Sequence, residues 1–242
     1  MTAPPSAGPG ASATRSPAPT GATGASHPIV VFGRMVKFTH TIFALPFALA
    51  AVAIAARGGG LALWRLGAIV VAMAGARTAA MGFNRIVDRS IDARNPRTAG
   101  RELPRGIVSL RAAWTMTLVS TGVFIAAAAV LGPLCLALTP VALLFLFGYS
   151  LTKRFTALCH LILGLAIAAG PGGAWIAIRG DFGWAPGLLM IAVGTWIGGF
   201  DVLYSLADRE FDSGAGLHSI LVRLGVTGAL LVSALLHVVT VA

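Results

Sequence analysis

Long runs of apolar residues alternate with short polar segments along most of this chain. Seven runs are about as long as the ~20 residues that a helix needs to cross a bilayer. They lie at roughly 36–56, 66–86, 110–131, 134–151, 159–178, 186–206 and 222–242. Glycine and proline interrupt the pattern between several of the runs. The pattern therefore predicts an all-α fold, a polytopic bundle of seven transmembrane helices.

The first 26 residues differ from the rest, because they are almost entirely Pro, Ala, Ser, Gly and Thr and show no periodicity. We expect residues 1–26 to form a disordered cytoplasmic tail and residues 27–242 to form one transmembrane domain. The chain ends within its last apolar run. This ending predicts that further C-terminal helices are missing, and a compact seven-helix protein is the alternative.

The composition excludes a soluble protein. Of the 242 residues, 57% are apolar and 11% are charged, whereas soluble domains have about 45–50% and about 25%. The net charge of +10 does not indicate nucleic-acid binding, because the charges lie in the gaps between apolar runs. The lipid bilayer is the expected surrounding, and no obligatory protein partner is evident. Cys135 and Cys159 lack metal-type spacing and are expected to be buried free thiols.

The basic residues predict the orientation of the chain. If the N-terminus is cytoplasmic, only Arg57, Arg65 and Arg179 lie in outside segments, and Arg77 lies within a span. The other 14 of the 18 basic residues lie inside: Arg15, Arg34, Lys37, Arg85, Arg89, Arg94, Arg97, Arg101, Arg105, Arg111, Lys153, Arg154, Arg209 and Arg223. The bias predicts a multi-pass protein with its N-terminus in the cytoplasm, and we expect it to lie in the bacterial inner membrane.

Acidic residues are few, and seven of the eight lie in two segments at the cytoplasmic ends of predicted helices. Steps of four residues in the first segment, and of seven and then four in the second, place each set on one face of a helix. The two sets are Asn84, Asp88 and Asp92, and then Asp201, Asp208 and Asp212. We expect these two stripes to face each other across a cavity.

Carboxylates at these places need compensation, because the C-terminal end of a helix dipole is negative and a bilayer penalises charge. Carboxylate and amide oxygens suit Mg²⁺, which completes its shell with water and substrate phosphates. The stripes therefore predict a site for Mg²⁺ that binds a diphosphate. The alternative is a set of solvated loop acids balanced by nearby arginines.

Three basic residues at cytoplasmic helix ends are candidates for binding diphosphate oxygens. Lys153 and Arg154 follow the fourth span, and Lys37 begins the first. Lysine and arginine both bind phosphate groups, as a point charge and as a planar fork respectively. Their alternative role is that of anchors placed by the positive-inside rule.

Arg77 and the only two tyrosines are candidates for lining the substrate cavity. Arg77 precedes Asn84 by seven residues, so it lies on the same helix face but deeper in the membrane. A guanidinium there suits a substrate carboxylate, and a structural ion pair is the alternative. Tyr149 and Tyr204 lie near cytoplasmic ends, where they line the cavity or anchor the protein at the interface.

Four stretches resemble the UbiA family of intramembrane aromatic prenyltransferases. They are KFTHTIFALPFA (37–48), ARTAAMGFNRIVDRSIDARNPRTAGRELPRG (76–106), DVLYSLADREFD (201–212) and GLHSI (216–220). The motifs NxxxDxxxD and DxxYxxxDxxxD are highly specific to this family when they occur together. The surrounding sequence most resembles the 4-hydroxybenzoate polyprenyltransferases, including related enzymes of menaquinone synthesis.

The resemblance implies a helical bundle, usually of nine spans, around a cavity that opens sideways to lipid. It implies that the six motif residues bind Mg²⁺ and polyprenyl diphosphate, that Lys153 contacts the diphosphate, and that Arg77 binds the carboxylate of an aromatic acid. The catalytic residues would be Asp88, Asp92, Asp208, Asp212 and Lys153.

The implied activity is transfer of a polyprenyl group to an aromatic acid such as 4-hydroxybenzoate, in ubiquinone or menaquinone biosynthesis. One alternative is a prenyltransferase with another acceptor, such as a dihydroxynaphthoate or haem. The other is a cation-binding membrane transporter, which would place acidic residues or broken helices at the membrane midplane. The acidic residues lie at one membrane face instead, which favours the enzyme.

Overall fold

The computed structural model describes residues 28–36, 45–57 and 59–242, and every regular element within them is helical. One of these elements is a 3₁₀ turn, Ser205–Asp208. The α-helices are α1 (Pro28–Met35), α2 (Leu45–Ala55), α3 (Leu63–Val87), α4 (Arg89–Arg94), α5 (Leu110–Leu131), α6 (Pro133–Ala137), α7 (Thr139–Thr152), α8 (Cys159–Arg179), α9 (Trp184–Tyr204), α10 (Arg209–Gly214) and α11 (Ile220–Val241). The all-α prediction is confirmed, and the predicted tail at 1–26 lies outside the described residues.

Five elements in the described part of the chain are long and apolar enough to cross a bilayer. They are α3, α5, α8, α11 and the stretch Trp184–Gly214, which begins with α9. Helices α2 and α7 are also apolar but have only 11 and 14 residues, fewer than the ~20 that a span requires. Within the described residues, the structure thus shows full-length spans at five of the seven expected places.

The expected span at 134–151 is divided because prolines begin both of its parts. Pro133 is the first residue of α6, and Pro140 lies in the first turn of α7. Proline has no backbone N–H and fits the first turn of a helix but not its interior. The expected span at 36–56 is described as helix only over Leu45–Ala55, since residues 37–44 lie outside the described part.

The long helices pack side by side around a central space. Helix α3 packs along α5, α8 along α9, and α9 along α11, while α2 lies against α8 and α7 lies against both α3 and α8. Large apolar side chains such as Leu118, Leu144 and Leu235 are exposed on the outer surface. Continuous apolar surface of this kind is expected of a protein whose solvent is lipid.

Helices α8 and α9 approach each other closely at glycine. A Cβ atom built on Gly164 would lie 2.2 Å from the carbonyl oxygen of Gly194, closer than any real contact. Small residues permit this approach of two backbones, as they do in many membrane helix pairs. The contact sets the distance between the helix that carries His160 and the one that carries Asp201.

Replacing Gly164 by alanine is therefore expected to destabilise the protein by about 1–3 kcal/mol, because the new methyl group overpacks the α8–α9 contact. Gly173→Ala on the same helix is the matched control, since a Cβ atom there meets open space and alanine favours helix. Thermal unfolding in detergent measures both variants. Equal unfolding midpoints for the two would contradict the expected overpacking.

The loop between α4 and α5, residues 95–109, folds against α1. Phe32 and Met35 of α1 form one buried cluster with Leu103 and Val108 of this loop. Arg85 of α3 donates a hydrogen bond from Nε to the carbonyl of Met35 at 3.3 Å. These contacts fix the α4–α5 loop over the end of α3, where the first acidic motif lies.

A candidate active site at one end of the bundle

The first motif spans the junction between α3 and α4. Asp88 lies between the two helices, yet its amide donates to the carbonyl of Asn84 at 3.0 Å, and the amide of Asp92 donates to the carbonyl of Asp88 at 2.7 Å. The helical spacing therefore continues through the junction. The Asn84 side-chain amide donates to Asp88 Oδ2 at 3.2 Å, so these two side chains share one face.

The second motif does not lie on one continuous helix, which corrects the expected single stripe of Asp201, Asp208 and Asp212. Helix α9 ends at Tyr204, and the 3₁₀ turn precedes α10. A 3₁₀ turn has 3.0 residues per turn instead of 3.6, so the α-helical offsets that predicted a single stripe do not apply across it. Asp201 pairs within the bundle instead, with Oδ2 at 2.7 Å from His160 Nδ1.

Asp88 is almost fully buried and is held by two cations from the end of α7. Lys153 Nζ lies 2.5 Å from Asp88 Oδ2, and Arg154 Nη2 lies 3.2 Å from Oδ1. The main chain of Lys153 makes a further link, because its carbonyl accepts a hydrogen bond from the His218 amide at 2.7 Å. Lys153 therefore joins the first motif to the segment that follows α10.

Asp92 is buried beneath the α4–α5 loop. Arg101 Nη1 donates to both of its carboxylate oxygens at 2.7 Å, and Arg85 Nη1 lies 4.0 Å from Oδ2. Thr98 Oγ1 donates to the Asp92 carbonyl at 3.0 Å. The loop thus neutralises this carboxylate and is itself anchored to it.

Asp208 of the second motif is bound by the same loop. Arg97 Nε donates to Asp208 Oδ1 at 2.7 Å, and Arg97 Nη2 donates to Oδ2. Asn95 Nδ2 also donates to Oδ1, at 3.0 Å, and the Arg97 guanidinium carbon lies 5.6 Å from the centre of the Tyr204 ring. The hydrogen bond to Asp208 raises the pKa of Arg97, although burial opposes the rise. The α4–α5 loop therefore brings the two motifs together.

The donor set fits Mg²⁺ by its chemistry, since the motifs offer carboxylate and amide oxygens and no soft ligand. Within the described residues, no three His, Cys, Asp or Glu side chains are grouped closely enough to hold a metal. Asp88, Asp92 and Asp208 are instead each paired with lysine or arginine. An ion bound here would be repelled by those basic groups, which have the same sign of charge.

A cavity of about 580 Å³ lies between α3, α5, α7 and α8. Its walls are mainly apolar, and Arg77 and Tyr149 line it. Arg77 Nε is buried without a hydrogen-bond partner in the described structure. Arg77 precedes Asp88 by 11 residues along α3, or roughly 16 Å of helix, and Tyr149 precedes Lys153 by one turn of α7. This polar part of the cavity therefore lies on the helix that leads to the first acidic motif and on the helix that leads to Lys153.

Several residues at this end of the bundle were not predicted as site residues. Asn95, Arg97 and Arg101 belong to the α4–α5 loop, and their only signal was a dense run of arginine after the first motif. His160 gave no signal, because a lone histidine beside an apolar run has no diagnostic spacing. The candidate Lys37 lies outside the described residues, and the predicted buried thiols of Cys135 and Cys159 are free but only partly buried.

A model of the UbiA prenyltransferase family matches residues 44–242. The chain belongs to the UbiA family. Among UbiA relatives, the 4-hydroxybenzoate octaprenyltransferase of Vibrio atlanticus (strain LGP32) is 31% identical, covering 66% of this chain and 56% of the relative. That of Francisella tularensis subsp. mediasiatica (strain FSC147) is 33% identical, covering 68% and 56%. The chain thus spans a little more than half the length of these relatives.

Solved UbiA structures share this fold. A UbiA homologue from Aeropyrum pernix K1 in its apo form is 37% identical, with a TM-score of 0.79 over 84% of this chain and 76% of that one. A homologue from Archaeoglobus fulgidus bound to DMAPP and Mg²⁺ is 21% identical, with a TM-score of 0.71 over 87% and 75%. The UbiA fold and the five apolar helices make this chain an integral membrane protein.

Proposed function

We propose that this UbiA protein catalyses Mg²⁺-dependent transfer of a polyprenyl group from its diphosphate to an aromatic acid such as 4-hydroxybenzoate, in quinone biosynthesis. The observation that carries the proposal is the apolar cavity with Arg77 in its wall, whose Nε has no hydrogen-bond partner among the described residues, on the helix that leads to the first acidic motif. The names of the relatives from Vibrio atlanticus and Francisella tularensis support the acceptor.

The diphosphate binds at the acidic end in this proposal. Lys153 and Arg154, which contact Asp88, provide positive charge for the diphosphate as it leaves. Tyr204 and Lys37 are proposed to border the same group. A bound Mg²⁺ supplies further stabilisation of that negative charge. The residues proposed to hold it are Asn84, Asp88, Asp92, Asp201, Asp208 and Asp212.

The aromatic acid binds in the cavity in this proposal. Arg77 holds its carboxylate through the planar guanidinium, and Tyr149 lines the same space. The apolar walls exclude water from the reacting carbon. A ring carbon beside the phenolic hydroxyl then forms the new C–C bond while the allylic C–O bond breaks, the diphosphate leaves with the electron pair, and the ring loses one proton.

We further propose that the protein lies in the bacterial inner membrane with this site facing the cytoplasm. The distribution of basic residues supports the orientation, because the acidic motifs lie on the basic side. A polyprenyl diphosphate has a lipid-soluble tail and a charged head. Such a substrate needs a site where an apolar cavity meets polar groups at a membrane face.

The test uses membranes that contain the full chain, with labelled geranyl diphosphate and either 4-hydroxybenzoate, a dihydroxynaphthoate or haem. We expect labelled prenylated aromatic acid in the presence of Mg²⁺ and none in the presence of EDTA. The preferred acid distinguishes the two quinone pathways. Absence of product with both acids, or a product formed only with haem, would refute the proposed acceptor class.

A further inference from the structure

Both carboxylate oxygens of Asp208 accept hydrogen bonds in this structure. Arg97 binds them as a two-pronged donor, through Nε to Oδ1 and Nη2 to Oδ2, and Asn95 donates a further hydrogen bond to Oδ1. A divalent cation that bound Asp208 in this arrangement would meet a guanidinium of the same charge sign. The guanidinium of Arg97 therefore opposes the binding of a cation to Asp208 until it moves away.

The surroundings of Arg97 permit such a movement of the side chain alone. Its side chain is 37% exposed, against 6% for Arg85 and 25% for Arg101. The backbone beside it is fixed, because Asn95 and Thr98 are buried and hydrogen-bonded. The loop thus fixes the backbone of Arg97, while its guanidinium is accessible from solvent.

We propose that Arg97 is a diphosphate-binding residue whose guanidinium stays paired with Asp208 until a divalent cation and the diphosphate bind. When a divalent cation takes the Asp208 carboxylate, the guanidinium transfers from those oxygens to oxygens of the diphosphate. This inference rests on the proposed function, since it requires a diphosphate at this end of the bundle. The planar fork of arginine binds phosphate in the same two-pronged manner as it binds carboxylate.

The exchange keeps every charge paired. Before it, Arg97 pairs with Asp208; after it, the cation pairs with Asp208 and Arg97 pairs with the diphosphate. Arg97 consequently opposes the cation when the cation binds alone and assists the diphosphate when both are present. A residue with a purely structural role would have effects of the same sign on both ligands.

The experiment measures binding to the full chain in lipid nanodiscs by calorimetry, first with Mg²⁺ alone and then with inorganic pyrophosphate at a fixed free Mg²⁺ concentration. For Arg97→Ala we expect roughly tenfold tighter binding of Mg²⁺ alone and roughly tenfold or more weaker binding of pyrophosphate, as for loss of one charge-assisted contact. Arg94→Ala is the matched control, because Arg94 is exposed and its Nε donates to the Ser90 carbonyl on its own helix. Both affinities are expected to stay unchanged there.

Weaker binding of both ligands by Arg97→Ala, or an unchanged affinity for pyrophosphate, would overturn the proposal. Arg97→Lys provides a second test if the alanine variant unfolds, since lysine keeps the positive charge but lacks the two-pronged guanidinium. The pyrophosphate affinity of Arg97→Lys is expected to lie between that of the natural protein and that of Arg97→Ala. These titrations need no aromatic acceptor and no turnover. A failure of the proposed prenyl transfer is therefore distinguishable from a failure of this inference.

Discussion

Asp88→Asn is expected to lower the rate of prenyl transfer by roughly 100-fold or more, the scale at which removal of one electrostatic stabiliser acts. The substitution keeps the shape of the side chain but removes the charge that Lys153 and Arg154 contact. It also replaces a proposed carboxylate ligand of Mg²⁺ with a neutral amide. Initial rates at several Mg²⁺ concentrations measure the effect.

Asp181→Asn is the control for this change. Asp181 lies in the loop between α8 and α9, where Trp175 Nε1 donates to it at 3.2 Å, and it is exposed. We expect this variant to retain the natural rate. A near-normal rate for Asp88→Asn, in protein with an unchanged unfolding midpoint, would disprove the proposed role of the first motif.

Arg77→Met is expected to raise the KM for the aromatic acid by about 10- to 100-fold, because a charge-assisted contact with the carboxylate is lost. The KM for the prenyl diphosphate is expected to remain unchanged, since Arg77 lies roughly 16 Å along α3 from Asp88. Methionine has a similar length and removes an intramembrane charge that is costly to bury. The variant is therefore expected to be at least as stable as the natural protein.

A phenol that lacks a carboxylate provides the decisive comparison for Arg77. Its use as acceptor is expected to be equally poor in the natural protein and in Arg77→Met. Arg65→Met is the structural control, because Arg65 donates to the carbonyls of Ala177 and Ile178 at 3.3 and 3.2 Å. That change is expected to lower stability and leave KM unchanged. A similar rise in KM for both acceptors would refute carboxylate recognition.

The helical architecture was predictable from the sequence because lipid leaves the backbone few choices. Every buried N–H and C=O must be satisfied within a segment, so a long apolar run in a membrane becomes a helix. The details that failed depend on local breaks. Pro140 lies in the first turn of a new helix within one apolar run, and the 3₁₀ turn Ser205–Asp208 interrupts the expected stripe. Hydropathy carries no information about either break.

The candidate site was predictable only where its residues are close in sequence. Spacing by four residues anticipated the contact between Asn84 and Asp88. The partner of Asp208 was not predictable in this way, because Arg97 precedes it by 111 positions. Its position follows from how the α4–α5 loop packs against α1. The roles of the motif residues in catalysis stay predictions.

Lys153 contacts two parts of the protein that are far apart in the sequence. Its ammonium group donates a hydrogen bond to the Asp88 carboxylate at the end of α3, and its carbonyl accepts a hydrogen bond from the segment that leads into α11. Any tilt of α7 is therefore transmitted to both places at once. Substitutions in α7 that change the shape of the cavity are therefore expected to change the position of Asp88 as well. The size of the cavity and the arrangement of the acidic motifs are in this way coupled through one helix.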